Sequence, residues 1–211
     1  MSRDTNSEIP LIAILRGVTP QTILDVASVL VEAGFTKLEV PLNSPNAIES
    51  IRMLVKEFGT ESFELGAGTV TRLDLAEQVL ETGANLVVTP NCNIEVIKTA
   101  VDAGCVTYPG VVTPTEAFNA VHAGATNLKL FPISMVGVSG MSAMKSVLPS
   151  NIDLFPVGGI DATIDSMSPY LNKGAKGFGL GSQLYTPFMT VSEVGQKAKA
   201  FVKTYNNIIA Q

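Results

Sequence analysis

The sequence has no tryptophan, a single histidine, His122, and only two cysteines, Cys92 and Cys105. One imidazole and two thiols cannot by themselves complete a tetrahedral zinc site, which argues against a His-rich metalloenzyme. Two cysteines in 211 residues are no disulfide framework and fit a reducing compartment. Charged residues make up only 16% and the net charge is −5, which disfavours disorder and a nucleic-acid groove alike. Glycine, proline and charges interrupt every apolar run before the roughly 18 residues that a membrane helix needs. The opening MSRDTNSE is polar and has no signal-peptide core. Apolar residues make up 46% of the chain, enough for one domain with a substantial core. A single domain over 1–211 is expected, with residues 1–8 as a polar tail.

A weak repeat organises the chain. Glu32-Ala33-Gly34, Glu81-Thr82-Gly83, Asp102-Ala103-Gly104, His122-Ala123-Gly124 and Asn172-Lys173-Gly174 each end a helical pattern and precede an apolar run. Glycine suits a helix C-terminus because it adopts positive φ without cost. The runs are LIAILRG (11–17), KLEV (37–40), FELGAG (63–68), NLVVTP (85–90), VTYPG (106–110), NLKLFP (127–132), DLFPVGG (153–159) and GFGLG (177–181). They are almost continuously apolar, as strands covered on both faces should be. Thr19-Pro20, Ser44-Pro45 and Thr113-Pro114 each set a capping hydroxyl before a proline and predict helix starts, the last completing a capping box with Glu116. A closing helix is expected over about 191–209. Eight strands alternating with helices predict a closed (β/α)8 TIM barrel of near-minimal length. The rival open doubly wound sheet usually has fewer strands, and no GxGxxG opens the first helix.

Catalytic groups of such barrels sit at the C-terminal ends of strands, so polar residues inside the apolar runs are the candidates. Lys129 in NLKLFP is a carbonyl nucleophile if desolvated, or else a snorkelling or structurally paired lysine. Glu39 in KLEVP is a general acid/base, or half of a buried ion pair with Lys129 or Arg16. Arg16 ends the first strand, where it can grip a carboxylate or phosphate, or pair with Glu39. The turns Val157-Gly158-Gly159-Ile160 and Gly179-Leu180-Gly181-Ser182 follow the last two strands. Their backbone N–H groups, with a following helix N-terminus, suit a phosphate. Gly66-Ala67-Gly68-Thr69 offers close backbone approach and a hydroxyl, or simply tight packing. His122 reads as a residue capping a helix C-terminus away from the site, the two cysteines as small packing residues, and Phe131 as barrel core or site wall.

These residues fall in an ordered set of motifs: LIAILRG, EVPLNSP, GAGTV, VTPN, YPG, LKLFP, VGGI and GLGS, spanning residues 11–182. The set resembles the class I 2-keto-3-deoxy-6-phosphogluconate/phosphogalactonate aldolase family. Asn43 in EVPLNSP points to the phosphogalactonate side, since the phosphogluconate enzymes usually carry arginine in the corresponding string. The resemblance implies Lys129 as Schiff-base lysine and Glu39 as general acid/base. It implies Arg16 and Thr69 as holders of the pyruvyl carboxylate end or neighbouring polar groups, and Gly158, Gly159, Gly181 and Ser182 as a phosphate cradle. It further implies a phosphorylated 2-keto-3-deoxy sugar acid as substrate, with pyruvate and glyceraldehyde 3-phosphate as products. Neither metal nor cofactor is implied beyond the covalent lysine imine, and the expected form is a cytoplasmic homotrimer. Val111-Val112 after YPG and Ile133-Ser134-Met135 after LKLFP depart from the pattern and bear on sugar stereochemistry. The rivals are a phosphogluconate-specific or dual-specificity aldolase, a phosphopentose epimerase and a non-catalytic phosphosugar-binding barrel.

Overall fold

The computed structural model describes residues 9–210, so the expected polar tail at 1–8 lies outside the described residues. Each apolar run forms a strand: β1 (Leu11–Ile14), β2 (Lys37–Pro41), β3 (Glu64–Gly68), β4 (Leu86–Val88), β5 (Val106–Tyr108), β6 (Gly110–Val111), β7 (Asn127–Leu130), β8 (Asp153–Pro156) and β9 (Phe178–Leu180). The VTYPG run divides into β5 and β6 at Pro109, which has no N–H to give to a ladder. Between the strands lie α1 (Ile23–Glu32), α2 (Ala47–Phe58), α3 (Leu73–Leu80), α4 (Ile94–Asp102), α5 (Pro114–His122), α6 (Ile133–Val147) and α7 (Ile164–Leu171), and α8 (Val191–Ile209) ends the order. Among the described residues no helix is long and apolar enough to cross a membrane.

All pairings are parallel. Six strands form one sheet in the order β5-β4-β3-β2-β1-β9, and β6-β7-β8 form a second. Hydrogen bonds join the two. The N–H of Lys129 donates to Pro109 O at 2.9 Å, and that of Lys176 to Leu154 O at 2.9 Å, while Val157 bridges Gly179. The sheet therefore curls, with the helices packed on its outer face.

Alternation along the strands sorts the side chains. Leu11, Ala13, Leu38, Val40, Leu65, Ala67, Leu128, Leu130, Phe178 and Leu180 join the large cluster shared with the helices. The intervening residues face inward. There Ile12, Leu86, Val88, Tyr108 and Phe155 form a separate small cluster, with Tyr108 edge-on to Phe155 at 4.9 Å. Lys37, Glu39, Glu64 and Lys129 sit in the inward phase too, and Lys37 pairs with Glu64. The wall is thus apolar outside, whereas its interior carries charge at intervals.

The helix ends follow the repeat: Gly34, Gly83, Gly104, Gly124 and Gly174 all have φ between 78° and 105°. Thr113 forms the expected capping box with Glu116, and α8 spans Val191–Ile209 as expected. Two helix starts differ from expectation. Thr19-Pro20 opens a turn, and α1 begins only at Ile23 after Thr22. Ser44-Pro45 does not cap α2, which follows Asn46 in a left-handed conformation. The Ser44 hydroxyl instead accepts the Gly17 N–H at 2.8 Å, tying the loop after β2 to the loop after β1. A proline can begin a turn as readily as a helix, so the dipeptide alone does not decide.

A Cβ at Gly177 would lie 1.7 Å from the carbonyl oxygen of Pro10, backbone against backbone, just before β9 joins β1. We expect Gly177→Ala to cost about 1–3 kcal/mol, as overpacking does. The measurement is the thermal midpoint, which should fall by several degrees; an unchanged midpoint would remove this close approach.

Candidate active site

Lys129 and Glu39 reach the interior from strands on opposite sheets. Lys129 lies in β7 opposite Gly110 and Phe155, and Glu39 in β2 opposite Ile14 and Gly66. Their neighbours along each strand, Leu128, Leu130, Leu38 and Val40, are locked in the outer cluster. That leaves the two charged chains no choice of face. Glu39 is 1% exposed and Lys129 is 6% exposed.

No ion pair joins them among the described residues, and Glu39 Oε2 is buried without a hydrogen-bond partner. Their coupling is through space. Burial raises the Glu39 carboxyl above its ordinary 4.5, against the pull of Lys129 and then Arg16. Burial lowers the Lys129 ammonium below its ordinary 10.5, against the pull of Glu39 and with the push of Arg16. Both groups are thus shifted toward their neutral forms, carboxylic acid and free amine. Glu39 adds stability below 4.5 that is lost as pH rises through its raised value. For Lys129 the unfolded chain holds the proton longer, so this site's contribution rises with pH up to 10.5.

Lys129 opens onto a cavity of about 690 Å³ at the C-terminal ends of the strands. Its Nζ stands 5.0 Å from the centre of the Phe131 ring, which forms part of the wall. Arg16, Gly158, Gly159, Gly181 and Ser182 line the same cavity. Gly158 and Gly159 have φ of 108° and 72°, a region that favours glycine, and a Cβ on Gly181 would meet nothing within 4 Å. The expected helix N-termini are not at these turns, because α7 begins at Ile164 and α8 at Val191. Both turns line the cavity without a helix N-terminus behind them. Arg16 is exposed and donates from Nη1 to Asn43 Oδ1 at 2.7 Å.

Glu39 and Thr69 are not in the cavity wall. Glu39 lies behind it, coupled to Lys129. Thr69 follows β3 with φ 59°, an uncommon conformation for a β-branched residue, and its hydroxyl has no hydrogen bond among the described residues. A strained residue with a free polar group is a mark of a binding site.

A second cavity, of about 620 Å³, lies at the other end of the strands, around Lys37, Glu64 and Tyr108. It is remote from Lys129, so the chemistry is assigned to the first. The sequence did not single out Gln183, Tyr185, Thr186 and Pro187, which complete the cavity wall. They follow GLGS directly, and a turn in which Leu184 and Tyr185 N–H return to Gly181 O folds them over the cavity. His122 falls in the last turn of α5 and tilts against Phe118. Cys92 and Cys105 are free thiols packed beside the core.

Comparison with known proteins gives the family. The sequence pattern of KDPG and KHG aldolases matches residues 3–197. The chain belongs to this aldolase family. It is 42% identical to the 2-dehydro-3-deoxy-6-phosphogalactonate aldolase of Escherichia coli (strain K12), over 96% of this chain and 98% of that one. It is 43% identical to a probable enzyme of the same name from Rhizobium meliloti (strain 1021), over 95% and 93%. A solved native KDPGal structure superposes with a TM-score of 0.93 at 41% identity, covering 98% of each chain. The protein is accordingly a class I aldolase, a carbon–carbon lyase that works through a lysine Schiff base.

In this aldolase the free-amine fraction of Lys129 at a given pH exceeds that of an ordinary lysine. Acylation of Lys129, followed by peptide mass spectrometry, should therefore show a midpoint below pH 10.5. A midpoint at or above that value would contradict the burial argument. Thr69→Gly should relieve the left-handed strain and, after the entropic cost of glycine, stabilise the fold by about 1 kcal/mol in a thermal melt.

Proposed function

We propose that this aldolase cleaves 2-dehydro-3-deoxy-6-phospho-D-galactonate to pyruvate and D-glyceraldehyde 3-phosphate, with Lys129 as nucleophile and Glu39 as general acid/base. The observation that carries the reading is the pair itself: two buried, non-contacting groups shifted toward free amine and carboxylic acid, with the amine opening onto a cavity bounded by two glycine turns. Two relatives named for phosphogalactonate, similar over nearly their whole length, support this choice of sugar acid.

The chemistry follows from the positions. The lone pair of Lys129 Nζ attacks the C2 ketone, and loss of water gives an iminium. Glu39, directly or through a water, takes the proton of the C4 hydroxyl. The C3–C4 bonding pair moves into the iminium to form an enamine, and the aldehyde leaves. Glu39 returns a proton to C3, and hydrolysis frees pyruvate and Lys129. Arg16, in the cavity wall, and the Thr69 hydroxyl hold the carboxylate end of the pyruvyl unit or the polar groups beside it. Gly158, Gly159, Gly181 and Ser182 hold the phosphate through backbone N–H groups and a hydroxyl. The positive charge that drives C–C cleavage is that of the iminium, so the reading involves no metal or other cofactor.

The two hydrogen-bonded junctions between the sheets, at Pro109 and at Val157–Gly179, support closure of the strands into a single-domain (β/α)8 barrel with β5 and β6 as one stave. Association as a cytoplasmic homotrimer completes the reading, and exposed Phe188 and Met135 supply apolar surface for it.

Incubation with pyruvate and borohydride, then peptide mapping, should place a reduced adduct on Lys129, and Lys129→Met should fold and carry none. An adduct on another lysine would overturn the assignment. Glu39→Gln should still form the adduct but lose roughly 10²–10⁴-fold in cleavage rate. Gly181→Val, whose backbone φ tolerates a side chain, should raise KM for the phosphorylated substrate while leaving pyruvate trapping intact. Turnover of the two C4 epimers decides the sugar; faster cleavage of the gluconate epimer would reverse that choice.

A further inference from the structure

Gly66 and Gly68 stand on the inward face of β3, beside Glu39 in β2. Gly68 does not owe its identity to its backbone, since its φ lies outside the left-handed region. It owes it to space. A Cβ there would lie 1.5 Å from Glu39 Oε2, 2.3 Å from Cδ and 2.7 Å from Oε1. The whole carboxyl group therefore occupies the volume that any side chain at 68 would fill. Oε2 has no hydrogen-bond partner, and no ion pair within reach holds the group, so nothing but packing and the fields of Lys129 and Arg16 fixes where it lies.

We propose that Gly68 is a positioning residue of this aldolase, holding the unpaired Oε2 of Glu39 where it exchanges protons with the substrate imine on Lys129. The inference rests on the acid/base role assigned above to Glu39 and adds the element that places it. An ordinary catalytic carboxyl is aimed by hydrogen bonds; this one is seated in a notch left by a missing side chain. Both of its oxygens thereby stay free to carry a proton. Since the atoms that a new methyl would strike are the far end of a flexible chain and not backbone, Gly68→Ala displaces the carboxyl without breaking the strand.

The test follows exchange of pyruvate methyl protons with D2O. Lys129 forms the pyruvyl imine, Glu39 takes a proton from C3, the C–H pair forms the enamine, and a solvent deuteron returns by the reverse path. Pyruvate trapping at Lys129 in the wild type is checked first; its failure overturns the mechanism as a whole, independently of Gly68. Gly68→Ala should then keep the borohydride adduct but slow exchange and cleavage by about 10²-fold, with KM nearly unchanged. In a Glu39→Ala background, adding Gly68→Ala should slow exchange less than threefold further, because the two changes act on one group. A structural role alone would lower trapping, exchange and cleavage in parallel with the folded fraction. Should Gly68→Ala fail to fold, Gly68→Ala/Glu39→Ala should fold, since the clash is removed with the carboxyl. Exchange within threefold of wild type in Gly68→Ala, additive losses in the cycle, or an unfolded double variant would each overturn the proposal.

Discussion

Removal of two opposite charges from water without letting them touch is the constraint on which this molecule depends. Desolvating each ion costs several kcal/mol, and an ion pair in good geometry would offset part of that. Here Glu39 and Lys129 have no such contact, so part of the cost remains and shows as opposed shifts toward the neutral forms. The amine is shifted toward its reactive form and the carboxyl toward its protonated one. The outer cluster makes the arrangement tolerable. Leu38, Val40, Leu128 and Leu130 bury the other phase of the same two strands against helices, and so drive the charged chains inward.

Much of this was legible in the sequence because it follows from periodicity. Apolar runs, most of them preceded by a helix-stopping glycine, marked the strands, and a charge inside such a run had to point inward or be unexplained. Lys129 and Glu39 stood out on that ground alone. The failures were of another kind. Ser44 before Pro45 has the form of a helix cap, yet its hydroxyl serves the Gly17 N–H, because a hydroxyl before proline says nothing about which N–H is nearest in space. Asn43 was noticed only through resemblance; its hydrogen bond to Arg16 joins loops 27 residues apart. Gln183 and Tyr185 were missed because a backbone turn, not a side-chain pattern, brings them over the cavity.

The glycines divide by physical role, which sequence alone does not reveal. Those ending helices, together with Gly158 and Gly159, have positive φ and supply conformation. Gly66, Gly68, Gly110 and Gly177 have ordinary φ, and a Cβ on each would collide with backbone or with the Glu39 carboxyl. For the second group the missing atom is the function. GAGT contains two such positions, and its written form is that of any flexible loop.

The two apolar clusters are separate, and the separation distributes tolerance to mutation unevenly. The outer one carries most of the buried side chains, and drift among leucine, isoleucine and valine there is absorbed by repacking. The inner one is five residues interleaved with polar neighbours. Two of them, Tyr108 and Phe155, line the second cavity, so exchanging one for a residue of different chemistry alters that end of the interior and leaves the lining of the Lys129 cavity as it is. A descendant lineage can thus rework the far end of the interior while both the helix–sheet shell and the walls around Lys129 are inherited unchanged.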